Sequence, residues 1–242
     1  MPGLPGLFFL PPNWRRIPSF ILRIRQRHQA TLLSAHWDDS DGGFVYEATN
    51  RMKDGAVIVG FNDGFTTTDG LFSPSSFEVA ATVRNYNVEF RNEWAINPAD
   101  SKDGVPGILY GRYPGDTYAG GNPWVLSSAA LANLFYRAAA EVASAKEGEL
   151  PSAAARAAWA DAFGVPEADF PESADAAADV FLRAGDSVLL RLRHHVAADG
   201  FHLAEQIDRD TGAQVSAQDL TWSYAETLSA MHSRAEFLAL AA

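Results

Sequence analysis

The stretch FHLAEQIDRDTGAQVSAQDLTWSY, Phe201–Tyr224, decides how the rest of the chain is read. Glu205 follows a long helical run and precedes a turn built from Asp208, Asp210, Thr211 and Gly212, which puts its carboxylate on a loop rather than on a solvated helix face. Ser216-Ala-Gln-Asp219 fits a capping box, in which the serine hydroxyl accepts from the third helical N–H and the aspartate reaches back, so a helix is predicted to begin there. Trp222 and Tyr224 then fall in its first turns, where an indole and the acid can share one pocket. The same residues also allow a buried tryptophan beneath a surface acidic loop.

Upstream, the periodicity is helical. Ser73-Pro74 supplies a cap and a first-turn proline, after which Val79, Val83, Tyr86 and Phe90 line one face. Asn122-Pro123 repeats that signal before Leu131, Leu134, Phe135, Ala138 and Val142, and this helix is expected to end near Lys146-Glu-Gly148. Ala153–Phe163 reads as a short alanine-rich helix, and Ser173 as the cap of a long one with Ala177, Phe181, Ala184, Val188 and Leu192 buried. Asp54 could cap a short apolar helix that stops at Asn62-Asp-Gly64. Asn97–Pro106 reads as loop, as does Asp38–Gly43, which lacks the ligand spacing of a calcium loop. Brief extended pieces could form near Phe44–Glu47 and Ile108–Tyr110, but no strand-rich region stands out, so the fold class is all-α with function at the loop ends.

The 242 residues suit one main domain, and 47% hydrophobic content is ordinary for a globular protein. A net charge of −11 argues against nucleic acid as a partner, since phosphate binding needs basic patches, and leaves neutral sugars acceptable. Residues 1–37 hold five arginines and no acid, so the first segment differs in character from the acidic remainder. Its Leu7-Phe-Phe-Leu10 run is broken by prolines and has no basic residue before it, which makes a poor signal peptide. Ile17, Ile21 and Ile24 among arginines could form a membrane-surface helix or an ordinary one; no run is long enough for a membrane span. The chain has no cysteine, which excludes disulfides and thiolate metal sites. Glycine-rich phosphate loops, G-x-S-x-G and H-E-x-x-H are missing, and His194-His195 reads as a surface pair rather than a zinc site.

Ala204-Glu205-Gln206, followed by Val215-Ser-Ala217 and Asp219-Leu-Thr-Trp-Ser-Tyr-Ala225, resembles the C-terminal catalytic segment of the glucoamylases, glycoside hydrolase family 15, with Ala204 where the family has serine. Gly111-Arg-Tyr-Pro-Gly-Asp-Thr-Tyr118 with Gly120-Gly-Asn-Pro-Trp124 is similar to the family signature GRYPEDxY…GNPW, and Lys53-Asp54 to its GKDANT segment. The resemblance runs from about Leu32 to Phe237, giving a family-like domain over 31–242 and an unmatched basic segment over 1–30. It implies an α/α toroid of helix pairs, about half of the ring being present, and an inverting release of glucose from the non-reducing ends of starch-like α-glucans. Glu205 would be the general base. Arg112 would contact substrate hydroxyls, Asp116 would orient Arg112 or a tyrosine, and Tyr113, Tyr118, Trp124 and Trp222 would complete a substrate-binding surface on which pyranose C–H faces stack. Gln206 and the hydroxyls of Tyr113, Tyr118 or Ser216 could orient the base. No cofactor and no metal are implied; the partner is an α-glucan or maltooligosaccharide, and the compartment implied is secreted or vacuolar.

Inverting hydrolysis needs a second carboxyl group, acting as acid, ~6.5–9.5 Å from the base. The family carries it on a Trp-Glu-Glu segment, and this sequence has none. The family's Arg-Asp pair is also missing. The alternative is therefore a non-catalytic α-glucan-binding or partner-dependent fragment, and half a toroid would expose helix faces open to self-association.

Overall fold

The computed structural model describes residues 27–64, 72–145 and 151–241. Residues 1–26 of the basic segment, with its isoleucine stripe, lie outside these, as does Lys146–Gly148. Helices α1 (residues 27–35), α2 (Ala56–Gly64), α3 (Phe77–Glu93), α4 (Ile96–Lys102), α5 (Val125–Ser144), α6 (Ala153–Phe163), α7 (Ala174–Val196) and α8 (Thr221–Leu240) account for most of the described chain. Two antiparallel ribbons join them: β1 (Trp37–Asp38) with β2 (Phe44–Val45), and β3 (Gln206–Ile207) with β4 (Gln214–Val215). The architecture is all-α, as the periodicity predicts.

Helix α5 is the axis. Nearly every residue from Val125 to Ala139 is buried, because α2, α7 and α8 all pack against it. Helices α2, α5 and α8 start at one end of the molecule: Gly55 N–H donates to Arg112 O, Val125 N–H to Glu205 O, and the Ser223 hydroxyl to Ala204 O. Helices α3 and α7 run the other way and finish there, with the Trp94 indole donating to Gly121 O at 2.8 Å. The loops with the family-like blocks thus collect at one end, facing the positive ends of three helix dipoles.

The stripe of α3 is buried as predicted, and so are Ala177, Phe181, Val188 and Leu192 of α7. Phe135, Trp159, Phe163, Phe170 and Phe181 lock α5, α6 and α7 together by edge-on and stacked ring contacts. Asp54 does cap α2, accepting from Ala56 N–H, but that helix continues through Asn62-Asp-Gly64.

Other local expectations are corrected. Helix α3 is capped by Ser76, whose hydroxyl accepts from Val79 N–H, whereas Ser73 only closes the preceding turn. Asn97–Pro106 is not all loop: α4 occupies Ile96–Lys102, with Pro98 in the first turn, where a missing N–H is harmless. Fully buried Arg191 holds that helix to α7, donating to Asp100 Oδ2 at 2.8 Å and to the carbonyls of Pro106 and Gly107 at 2.9 and 2.7 Å. The histidine pair is not a surface pair either. His194 is exposed, but His195 is buried, with Nε2 2.7 Å from Asp100 Oδ2, because one helical step turns its ring toward α4.

Candidate active site

Glu205 enters β3, and its backbone is fixed on both sides: its N–H donates to Ala217 O at 2.8 Å and its carbonyl accepts Val125 N–H at 3.1 Å. The turn beyond it is held by Asp208, whose Oδ1 accepts from the N–H groups of Asp210 and Thr211 and from the Thr211 hydroxyl. These hydrogen bonds, the Thr211 hydroxyl first, keep the Asp208 carboxyl below the usual carboxylate range. The buried Glu205 carboxylate receives the Ser216 hydroxyl from the return strand side of the ribbon.

That contact overturns the capping box. Helix α8 begins at Thr221, with Leu220 at its cap position and no side-chain cap, five residues after Ser216. Ser216 and Asp219 both have positive φ, 70° and 50°, so neither is in the extended conformation of a cap residue. Asp219 instead accepts from the Tyr224 hydroxyl at 2.7 Å and lies 2.8 Å from His202 Nδ1.

The second block forms a cation–aromatic cluster. Arg112 donates through Nε and Nη2 to the two oxygens of Asp116, both at 2.7 Å, which is the two-pronged geometry of a guanidinium on a carboxylate. Its carbon centre lies 4.6 Å from the Tyr118 ring centre and 5.3 Å from those of Trp124 and Tyr113. Burial would raise the Asp116 carboxyl, but the Arg112 hydrogen bonds and the Tyr118 N–H outweigh it and hold it below the usual range. The same Asp116 hydrogen bonds push the Arg112 guanidinium up. The pair fixes the direction of the Arg112 guanidinium.

Asn122 joins the two blocks. It caps no helix, since α5 starts after Trp124 with no side-chain cap. Its Nδ2 donates to Gln206 Oε1 at 2.9 Å, and its Oδ1 accepts Arg209 N–H at 3.1 Å. Ile207 N–H donates to Pro123 O at 3.0 Å, and Trp124 and Gln206 form an antiparallel bridge. Gln206 therefore orients Asn122 rather than the Glu205 carboxylate. Arg112, Tyr113, Asp116, Tyr118 and Trp124 are brought together, and Trp124 pairs with the residue after Glu205. Trp222 is half exposed on α8, with its indole N–H directed at Glu226 Oε1 3.3 Å away. The residue that sequence reasoning missed is Asn122, whose Asn-Pro context looked like a helix start.

Two donors in this ladder, Trp124 Nε1 and Gln206 Nε2, are buried without a hydrogen-bond partner. Leaving such a group unpaired costs about 1–3 kcal/mol, so the ladder carries a polar cost on two paired residues. Among the described residues no cluster of three or more His, Asp or Glu side chains could hold a metal ion, and no helix is long and apolar enough to cross a membrane.

Comparison with known proteins gives one consistent answer. The chain is 30% identical over 223 residues to a glucoamylase of Blastobotrys adeninivorans and 31% identical over 215 residues to glucoamylase 1 of Rhizopus oryzae, with 84% of the chain covered in each case. It spans only about a third of those relatives, 35% and 34% of their lengths. In structure it is similar to the family 15 glucoamylase of Hypocrea jecorina, with TM-score 0.71, 28% identity, 86% of this chain covered and 36% of the other. The glucoamylase of Hormoconis resinae matches with TM-score 0.68 at 26% identity, covering 88% of this chain and 38% of that one. The fold is accordingly that of an α/α toroid, present as an arc. With residues 18–232 matching the model of glycosyl hydrolases family 15, the chain belongs to that family.

Proposed function

We propose that this chain forms the base-side half of a glucan 1,4-α-glucosidase site, which holds the non-reducing end of a starch-like α-glucan for inverting release of glucose. The observation that supports the reading is the hydrogen-bonded ladder between Trp124 and Gln206, which ties the loop of Glu205 to the loop that carries the Arg112 cluster. A sugar supplies C–H faces for Tyr118 and Trp124. Glu205, steadied by Ser216, would take a proton from water as that water attacks the anomeric carbon. Arg112 is locked by Asp116 and presents its remaining guanidinium edge to vicinal hydroxyls.

The lack of a Trp-Glu-Glu segment favours a second reading of the same site: sugar binding without turnover until an acid is supplied from outside these 242 residues. Calorimetric titration with maltotriose, alongside assay of glucose release, separates the two. Binding that is lost in Arg112→Ala and accompanied by no glucose supports the base-side half; release of β-glucose shows a complete enzyme. Failure of the wild-type chain to bind any maltooligosaccharide overturns both.

A further inference from the structure

His195, at the end of α7, sits between α4 and the turn that joins β3 to β4. Its Nε2 lies 2.7 Å from Asp100 Oδ2, and the same oxygen accepts from Nη1 of fully buried Arg191 at 2.8 Å. A carboxylate only accepts, so Nε2 is the donor, and the bond fixes the direction of the imidazole. The other edge of the ring meets Gly212: a Cβ built on that glycine falls 2.6 Å from His195 Nδ1 and 2.7 Å from its Cε1, closer than a side chain tolerates. Ile96 of α4 closes in as well, with its Cδ1 3.1 Å from the same Cβ and its N–H donating to Arg209 O at 3.0 Å. The turn is thus set against a ring held by a buried ion pair, where an apolar side chain could fill the space without the desolvation cost of the charges.

We propose that His195 is a positioning residue for Glu205, holding the ribbon where the Ser216 hydroxyl meets the Glu205 carboxylate. The path between them is short. Gly212 N–H donates to Asp208 O at 2.9 Å and Asp208 N–H to Ala213 O at 2.7 Å, so the turn is one hydrogen-bonded unit. From it the return strand carries Gln214, whose Oε1 accepts Ala204 N–H at 2.8 Å, and then Ser216, whose hydroxyl donates to Glu205. A displacement of Gly212 by the ring therefore reaches both the backbone before Glu205 and the carboxylate itself. The consequence for hydrolysis rests on Glu205 being the base, whereas the placing of its carboxylate does not.

The test is a pair of substitutions at the contact, read in the full chain through the Glu205 carboxyl carbon NMR signal, identified by its loss in Glu205→Gln, and through the Kd for maltotriose. His195→Ala empties the space beside the turn, and Gly212→Ala drives a methyl group into the ring. Each should move the carboxyl signal and raise the Kd on the order of tenfold; in the double variant the methyl enters the vacated space, so the combined effect should fall short of the product by about threefold or more, as for residues in contact. Gly164→Ala is the control, at φ 69° with nothing within 4 Å of a built Cβ, and should leave both readings unaltered. Should the alanine variant fail to fold, His195→Gln keeps an N–H for Asp100 while removing the ring, and it should still move the signal. Intact helical circular dichroism with an unmoved carboxyl signal, or effects that simply multiply in the double variant, would overturn the proposal and leave His195 a filler of the core. A wild type that binds no maltotriose sinks the base-side reading alone, and the carboxyl signal then decides for or against His195.

Discussion

The Ser216 hydroxyl donates to the Glu205 carboxylate from a backbone held at φ 70°. The bond to the buried carboxylate and the cost of that conformation act in opposite directions on stability. A hydrogen bond to a charged group contributes about 1.5–3 kcal/mol, and the left-handed conformation costs a non-glycine residue about 1–2 kcal/mol. Ser216→Ala loses the bond and keeps the strain, whereas Ser216→Gly loses both. Urea unfolding should therefore rank wild type above Ser216→Gly and Ser216→Gly above Ser216→Ala, and equal stability of the two variants would show that the backbone is not strained there.

The Arg112–Asp116 pair predicts an acid dependence. The folded Asp116 carboxyl titrates below its ordinary value of 3.8, so between the two values the unfolded chain binds more protons than the folded one, and stability rises with pH. The contribution is complete above the unfolded value and is lost as pH falls through the depressed folded value. The stability gap between wild type and Asp116→Asn should be constant from neutral pH down to about pH 5 and close only in stronger acid. A gap that narrows between pH 7 and about pH 5 would assign the effect to another group.

Asn122 makes the ladder between the two loops one unit. Replacing it with alanine removes partners from Gln206 Oε1 and Arg209 N–H at once, and each buried group left unpaired costs about 1–3 kcal/mol. Asn122→Ala should lower stability by about 2–4 kcal/mol and accelerate amide exchange at Arg209 and Ile207 together, since both join the Asn122–Pro123 segment to β3. Faster exchange at Arg209 with Ile207 unchanged would mean that the two contacts open separately.

The helices were legible where periodicity is long. The α3 and α7 stripes and the Ala153–Phe163 bounds follow from apolar spacing that only a buried helix face satisfies. Caps were legible only in part. Asp54 and Asn122 carry the same kind of local signal, yet one caps a helix and the other reaches across to Gln206 and Arg209, residues more than eighty positions away. Ser216 and Asp219 have the spacing of a capping box but spend their oxygens on Glu205, Tyr224 and His202. A short polar side chain can serve the backbone beside it or a tertiary partner equally well, and local sequence does not separate the two. His195 shows the same limit: its ring is held by Asp100 of α4, a helix read as loop because the segment is rich in Asp, Ser, Lys and Gly. The site blocks were legible through the family resemblance, and what the sequence left open was how they are joined.

Gly121 offers the sharpest test of how tightly the Arg112 cluster is built. It lies at φ 65°, and a Cβ there would fall 1.9 Å from the Asp116 carbonyl oxygen, a backbone atom that cannot swing aside. Its own carbonyl takes the Trp94 indole N–H. Gly104 is the control, because it has φ 79° and nothing within 4 Å of a built Cβ. Gly104→Ala should cost only the left-handed penalty of about 1–2 kcal/mol. Gly121→Ala carries that penalty and must also displace the Asp116 backbone, which moves the carboxylate that holds Arg112 against Tyr118 and Trp124. It should therefore unfold at lower urea than Gly104→Ala, shift tryptophan emission through Trp94 and Trp124, and weaken maltooligosaccharide binding, which Gly104→Ala leaves intact. If the two alanine variants match in urea midpoint and in sugar affinity, the Gly121 turn has room to relax and the cluster is not pinned by its backbone.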